Sequence, residues 1–211
     1  MPAAAPIEVE TVPVNAQSYT PTAKLLHWLM AAIWIAAWVL GAAAVYMREA
    51  WNPHHGLTIT HKALASTLLF LIVVRVAWRL THPAPALPAQ MSAPMRRAAA
   101  LGHLALYAAA LLALPLSGWL WSSVAGKPIL VLGLVQLPPL TAPAKDWYDL
   151  AKLAHVTLAW GTGALVLGHV LVALKHHVVD GDGVLRGMLP EARARLRSQP
   201  RPASADGAPH G

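Results

Sequence analysis

Four long apolar runs dominate the chain, at about 24–47, 57–80, 101–124 and 150–178. Crossing the hydrocarbon of a bilayer takes ~20 helical residues at a rise of ~1.5 Å each, and all four runs are long enough. An even number of crossings puts both termini on one side. The pattern predicts an all-α protein, a transmembrane four-helix bundle over residues 21–190. Residues 1–20 are Pro/Ala-rich with two glutamates and no periodicity, and residues 191–211 form an Arg/Ala/Pro-rich tail. Both tails are expected to be disordered. Between the third and fourth runs, residues 126–144 hold an apolar stretch too short to span. It is expected either to lie on the membrane surface or to cover the bundle. Pro115, inside the third run, predicts a kink whose freed carbonyl must be satisfied by a neighbouring helix.

Composition supports a membrane class. Of 211 residues, 56% are hydrophobic and 12% charged, against about 25% charged in ordinary globular chains. The formal net charge of +7 arises beside the apolar runs and in the tail, which is the signature of a topology signal and not of nucleic-acid binding. Arg79, Arg96 and Arg97 precede the third run, and Arg186, Arg193, Arg195, Arg197 and Arg201 follow the fourth. By the positive-inside rule that side is cytoplasmic, so both termini are predicted there. Arg48, Lys127 and Lys145 on the other side weaken the bias without reversing it. Trp28 and Trp78 are then expected at the cytoplasmic interface, and Trp51, Trp121 and Trp147 at the far one. No charged start with an apolar core and cleavage site precedes the first run, so that run is expected to direct insertion itself.

The chain has no cysteine and eleven histidines. Covalent haem attachment through CxxCH, cysteine-ligated clusters and thiolate zinc sites are therefore excluded, and any haem must be held by side-chain ligands and packing. Ionisable groups inside a span are costly and point to function. On the fourth run His155 and His169 stand fourteen residues apart, an angular offset of only about 40° and ~21 Å along the axis. His61 matches His155 in depth to ~1.5 Å, and His27 matches His169 as closely. Two level-matched pairs suit one haem in each leaflet, with bis-histidine ligation favouring electron transfer over oxygen binding. A four-histidine zinc or copper transport site would cluster its ligands at one depth instead.

Other residues fill in this picture. Arg75, fourteen residues after His61, shares the depth of the His27–His169 pair and is placed to meet a haem propionate. Arg79, one turn on, either does the same or snorkels. His103 and His176 also belong to the cytoplasmic level; each either replaces an assigned ligand or serves a quinone site by hydrogen-bonding a carbonyl and relaying a proton. Gly161 and Gly163 either admit a macrocycle or allow close helix packing. Trp34, Trp38 and Trp160, near mid-membrane, are candidates to pack on haem edges. His54, His55, His82, His177 and His210 are read as loop or interfacial residues.

The combination of Leu26-His27-Trp28, His61, Val74-Arg75, Arg79, His82-Pro83, Gly102-His103-Leu104, Tyr107, Pro115, Gly126-Lys127-Pro128, Gly133-Leu134, Lys152, His155, Gly168-His169 and His176-His177 resembles the bacterial cytochrome b561 family, related to the cytochrome b subunits of nickel–iron hydrogenases. The resemblance runs over about residues 19–190. It implies two haem b groups, ligated by His27 with His169 and by His61 with His155, in a multi-pass protein of the bacterial inner membrane. It also implies exchange of electrons with ubiquinone or another membrane quinone. One member type is a superoxide oxidase; in that case Lys152 and Lys127 are candidates to attract the anion. The alternative is a membrane anchor passing electrons to or from a periplasmic redox partner, a dehydrogenase or another cytochrome.

Overall fold

The computed structural model describes residues 18–87, 91–181 and 183–190. The expectation of disorder at 1–17 and 191–211 lies outside them. Among the described residues seven α-helices follow in order: α1 (Pro21–Tyr46), α2 (Arg48–Trp51), α3 (Gly56–Thr81), α4 (Ala93–Ala105), α5 (Leu114–Val124), α6 (Tyr148–Val178), entered through a 3-10 turn at Lys145–Trp147, and α7 (Val184–Met188). A π-helical stretch, Leu106–Ala113, fuses α4 to α5. Four stretches are long and apolar enough to cross a membrane: Pro21–Tyr46, Gly56–Thr81, Ala93–Val124 and Lys145–Val178. The all-α four-helix reading holds.

The third span starts eight residues before its apolar run. Ser92 caps α4 by accepting the Met95 amide, with Pro94 in the first turn, a combination that starts a helix regardless of hydrophobicity. Arg96 and Arg97 occupy those first turns, which hid them from the apolar pattern. Thr20 and Pro21 start α1 in the same way.

α1 packs chiefly on α3, and α5 chiefly on α6. We call basal the end where Ser18–Thr20 meets α7, and apical the end of the 47–55 and 126–144 connections. At the basal end the Tyr19 amide donates to the Gly187 carbonyl (3.1 Å). The Trp28 indole donates to the Met188 carbonyl (2.9 Å), and that of Trp78 to Thr20 Oγ1 (3.1 Å). His82 stacks flat on Trp78, with ring centres 3.8 Å apart.

At the apical end buried Asn52 ties α2 to α3, accepting the Leu57 amide and donating to Thr58 Oγ1. The 126–144 segment is a two-stranded hairpin, β1 (Leu130–Val131) on β2 (Val135–Gln136), turning through Leu132 and Gly133 at positive φ. It is clamped onto the bundle: the Leu132 amide donates to the Ala63 carbonyl of α3 (3.2 Å), Leu140 to Ser123 Oγ of α5, and the Trp119 indole to the Pro138 carbonyl. Ala63 lies about 10 Å along α3 from its apical start. The hairpin therefore descends beside the helices, and exposed Leu132, Leu134 and Val135 give it the surface of a lipid-facing element.

The core joins Met30 and Trp34 of α1, Leu68 and Ile72 of α3, Ala110 of the π stretch and Leu114 of α5. Here the expectation for Pro115 takes a specific form. The Leu114 amide closes a wide turn onto Ala109, and Pro115 has no N–H to give. The Ala110 carbonyl thus loses both its α and its π partner. The buried Trp34 indole supplies the missing donor from α1, at 3.1 Å.

Trp34→Phe should therefore destabilise the detergent-solubilised protein by about 1–2 kcal/mol. The loss should shrink when Pro115→Ala restores a backbone donor. Equal losses in both backgrounds, in a double-mutant cycle of reversible unfolding, would contradict this account.

Candidate functional site

Histidines gather at two levels. At the apical level His61 of α3 faces His155 of α6, with ring centres 6.1 Å apart. At the basal level His27 of α1 faces His169 of α6 at 6.4 Å. A metal–imidazole bond is ~2 Å and a ring centre lies ~1 Å behind its nitrogen, so two imidazoles on opposite sides of one iron have centres ~6 Å apart. Both pairs fit that separation. The levels are those expected from depth alone.

The apical pair is oriented by backbone and hydroxyl groups. His61 Nδ1 lies 2.7 Å from the Ala37 carbonyl, an acceptor, so Nδ1 carries the proton and Nε2 is left for a ligand. His155 Nδ1 donates to Ser117 Oγ (3.0 Å), which in turn donates to the Leu114 carbonyl. Each ring also lies against a glycine. A methyl group on Gly41 would stand 2.9 Å from the His61 ring, and one on Gly118 3.0 Å from that of His155. These seats are open only because α1 and α5 lack a side chain there. The sequence reading passed over both glycines and singled out Gly161 and Gly163. Gly163 instead packs against the Trp38 indole, and nothing lies within 4 Å of a methyl group on Gly161. Gly163 thus serves helix packing, while Gly161 faces open space.

The basal level is built differently. Arg75 donates through Nε to the Tyr107 hydroxyl (2.7 Å) and through Nη2 to His27 Nδ1 (3.3 Å). His103 joins the level, its ring centre 5.5 Å from that of His169 and its Nδ1–H given to the Ala99 carbonyl (2.7 Å). Three imidazoles, those of His27, His103 and His169, therefore meet at this level. His176 is turned to Asp180, Nδ1 to Oδ2 at 3.0 Å, and Lys175 braces the same carboxylate. Asp180 was not among the sequence candidates; it lies just beyond the apolar run. Arg79 and Lys152 are exposed.

One repeat runs through every span. His27 and Gly41 on α1, His61 and Arg75 on α3, and His155 and His169 on α6 are each fourteen residues apart and serve opposite levels. On the third span His103 and Gly118 are fifteen apart. The π-helical stretch between them widens the turn and absorbs the additional residue, so His103 still reaches His169 and Gly118 still faces His155.

Trp121, expected as an interfacial anchor, instead turns inward, its ring 5.7 Å from that of His155 and 6.0 Å from that of Tyr148.

A family model described as prokaryotic cytochrome b561 matches residues 18–191. The chain belongs to the prokaryotic cytochrome b561 family. It is 37% identical over 174 residues to "Cytochrome b561 homolog 2" of Escherichia coli (strain K12), an alignment covering 82% of this chain and 92% of that one. It is 28% identical over 169 residues to "Probable superoxide oxidase CybB" of Yersinia pestis, covering 80% and 93%. The protein is thus a multi-pass bacterial membrane cytochrome of b type that works in electron transfer.

Gly41→Ala should push His61 off the Ala37 carbonyl and lower the haem content per polypeptide, measured as pyridine haemochrome, while Gly161→Ala leaves it unchanged. Equal haem in both variants would refute the seating role of Gly41.

Proposed function

We propose that the protein binds two haem b groups and moves electrons between the periplasm and the membrane quinone pool. The observation that carries this reading is the pair of imidazole separations, 6.1 and 6.4 Å, at two levels fourteen residues apart on α6, a rise of ~21 Å. His61 and His155 would hold the apical group, and His27 and His169 the basal one. Haem iron, when bound, supplies reversible one-electron oxidation and reduction. We take the apical end as periplasmic and both termini as cytoplasmic, on the arginine distribution.

The chain's own groups have distinct tasks. The Ala37 carbonyl and Ser117 hydroxyl hold the apical imidazoles with Nε2 presented inward. At the basal level, giving Nε2 to a metal requires a proton on Nδ1 of His27. Arg75, which can only donate, then has to leave that nitrogen. Tyr107 keeps the guanidinium in place, ready for a propionate. His103 is exposed and anchored through Nδ1, so Nε2 would donate to a quinone carbonyl only from the protonated ring, which could then pass that proton on. His176, paired with Asp180 near the basal surface, and exposed Arg79 are the further candidates for the quinone site.

Within this reading a self-contained superoxide:quinone oxidoreductase is favoured by the relative named a probable superoxide oxidase and by exposed Lys152, one turn before His155, which would attract the anion. The alternative is an anchor passing electrons to or from a periplasmic dehydrogenase or cytochrome.

The purified protein should hold two haems per chain. His61→Ala or His155→Ala should remove one and leave the other's reduced spectrum intact. Quinone reduction by superoxide without partners would support the oxidase; a dihaem protein inert in that assay would support the anchor. A wild-type count of one haem would defeat the two-level reading.

A further inference from the structure

Three serines stand on α5, and two of them give their hydroxyls to the preceding turn. Ser117 donates to the Leu114 carbonyl (2.7 Å) and Ser123 to that of Trp119 (2.9 Å). Ser122 does neither: it is 4% exposed, and its Oγ has no partner among the described residues. A buried hydroxyl left unbonded is costly and calls for a partner from outside the chain. Ser122 lines a cavity of about 320 Å³ between the end of α5 and the hairpin, with Trp119, Ile129 and Leu137 as apolar walls and Lys127 and Gln136 as further polar groups. The Lys127 amide donates to the Ser122 carbonyl at 2.9 Å, so the residues bearing the cation and the unpartnered hydroxyl are locked together. The turn that places them uses Gly126 at positive φ, where a methyl group would stand 3.2 Å from Pro143. Lys127 and Pro143 also line a second cavity of about 440 Å³, which Lys145 and Asp149 share. Two cations and one anion therefore serve the two cavities, and no ion pair joins them among the described residues, whose ion pairs lie around Asp180.

We propose that the Ser122–Lys127 cavity binds a phosphate oxyanion supplied by the headgroup of an anionic phospholipid. The third span ends at Val124, which sets the cavity at the depth of the bilayer headgroups. The anion in constant supply at that depth is the phosphodiester. Lys127 is its counter-charge and the Ser122 hydroxyl its buried donor, an arrangement suited to charge-assisted hydrogen bonds. Gln136, exposed on β2, offers an amide to the same headgroup. The apolar walls suit a glycerol backbone, and exposed Leu132, Leu134 and Val135 carry the hairpin's apolar face on toward the acyl chains. A diatomic anion, little larger than a water at ~30 Å³, would leave most of the cavity empty. The site is independent of haem, and it uses none of the groups assigned above to haem or quinone.

The test takes the full-length holoprotein from nanodiscs of phosphatidylglycerol and phosphatidylcholine in equal amounts into native mass spectrometry. The wild type should keep one phosphatidylglycerol through delipidation. Lys127→Gln should lower its occupancy about tenfold and Ser122→Ala about fivefold, while Lys127→Arg retains it. Arg48→Gln, which removes an apical cation that lines neither cavity, should leave occupancy unchanged. Circular dichroism separates a folding defect from lipid loss, and should Lys127→Gln fail to fold, Ser122→Ala, the loss of one oxygen, decides alone. Occupancy unaffected by the Lys127 and Ser122 substitutions overturns the site. So does an equal loss in Arg48→Gln, the mark of diffuse attraction to the membrane surface, and so does a wild type that keeps both lipids alike. A last arm adds inorganic phosphate at millimolar concentration. Phosphatidylglycerol that stays bound supports the lipid as the source of the oxyanion, and phosphate bound in its place overturns the lipid as occupant.

Discussion

Hydrocarbon offers a backbone no water to bond with, and most of this architecture follows from that. A helix in lipid satisfies its own amides and carbonyls, but the third span breaks the rule at one point. Its wide turn gives the Leu114 amide to Ala109, Pro115 gives nothing, and the Ala110 carbonyl is stranded in the core. A tryptophan on α1 completes the account. That single bond ties the first span to the third in the middle of the bundle. Trp38 repeats the device toward α6 by donating to the Ala159 carbonyl at 2.8 Å. Trp34 and Trp38 thus act first as donors to stranded or neighbouring carbonyls, while Trp160 gives its N–H to the Tyr46 hydroxyl. They fill the space between levels with rigid apolar mass in the same stroke.

The π-helical stretch also sets phase. Three spans place their level-defining residues fourteen apart, close to four whole turns. The third needs fifteen, and a locally wider turn lets His103 reach His169 while Gly118 faces His155. A feature that reads as an irregularity of one helix is therefore the condition for four helices to serve the same two levels.

The levels, the pairs and the count of spans were legible because depth in a membrane helix is a linear function of residue number. His27, His61, His155 and His169 could be ranked by height before any contact was known. The start of α4 was not legible from hydropathy, since Ser92 and Pro94 set it through capping while Arg96 and Arg97 hid it. Gly41 and Gly118 were missed for a different reason. A glycine signals its role only through what approaches it from another helix, and no local pattern tells that His61 and His155 will do so. Gly163 was noticed because it lies between two histidines in sequence, yet its neighbour in space is Trp38. Trp121 shows the same limit: its position at a helix end read as an interfacial anchor, but contact with His155 is a tertiary fact.

The glycine seats have a consequence for speed. At the apical level each imidazole rests against the backbone of a neighbouring helix and is tethered through Nδ1, to a carbonyl on one side and a hydroxyl on the other. Backbone in a packed span has little freedom to relax, so the rings would resist swinging or tilting if charge at their level changed. Small nuclear rearrangement on gain or loss of an electron means a low reorganisation energy, which is the quantity that limits transfer once distance is set. If the apical pair holds a haem as proposed, two absent side chains would thereby tune the kinetics of a site that they never touch chemically.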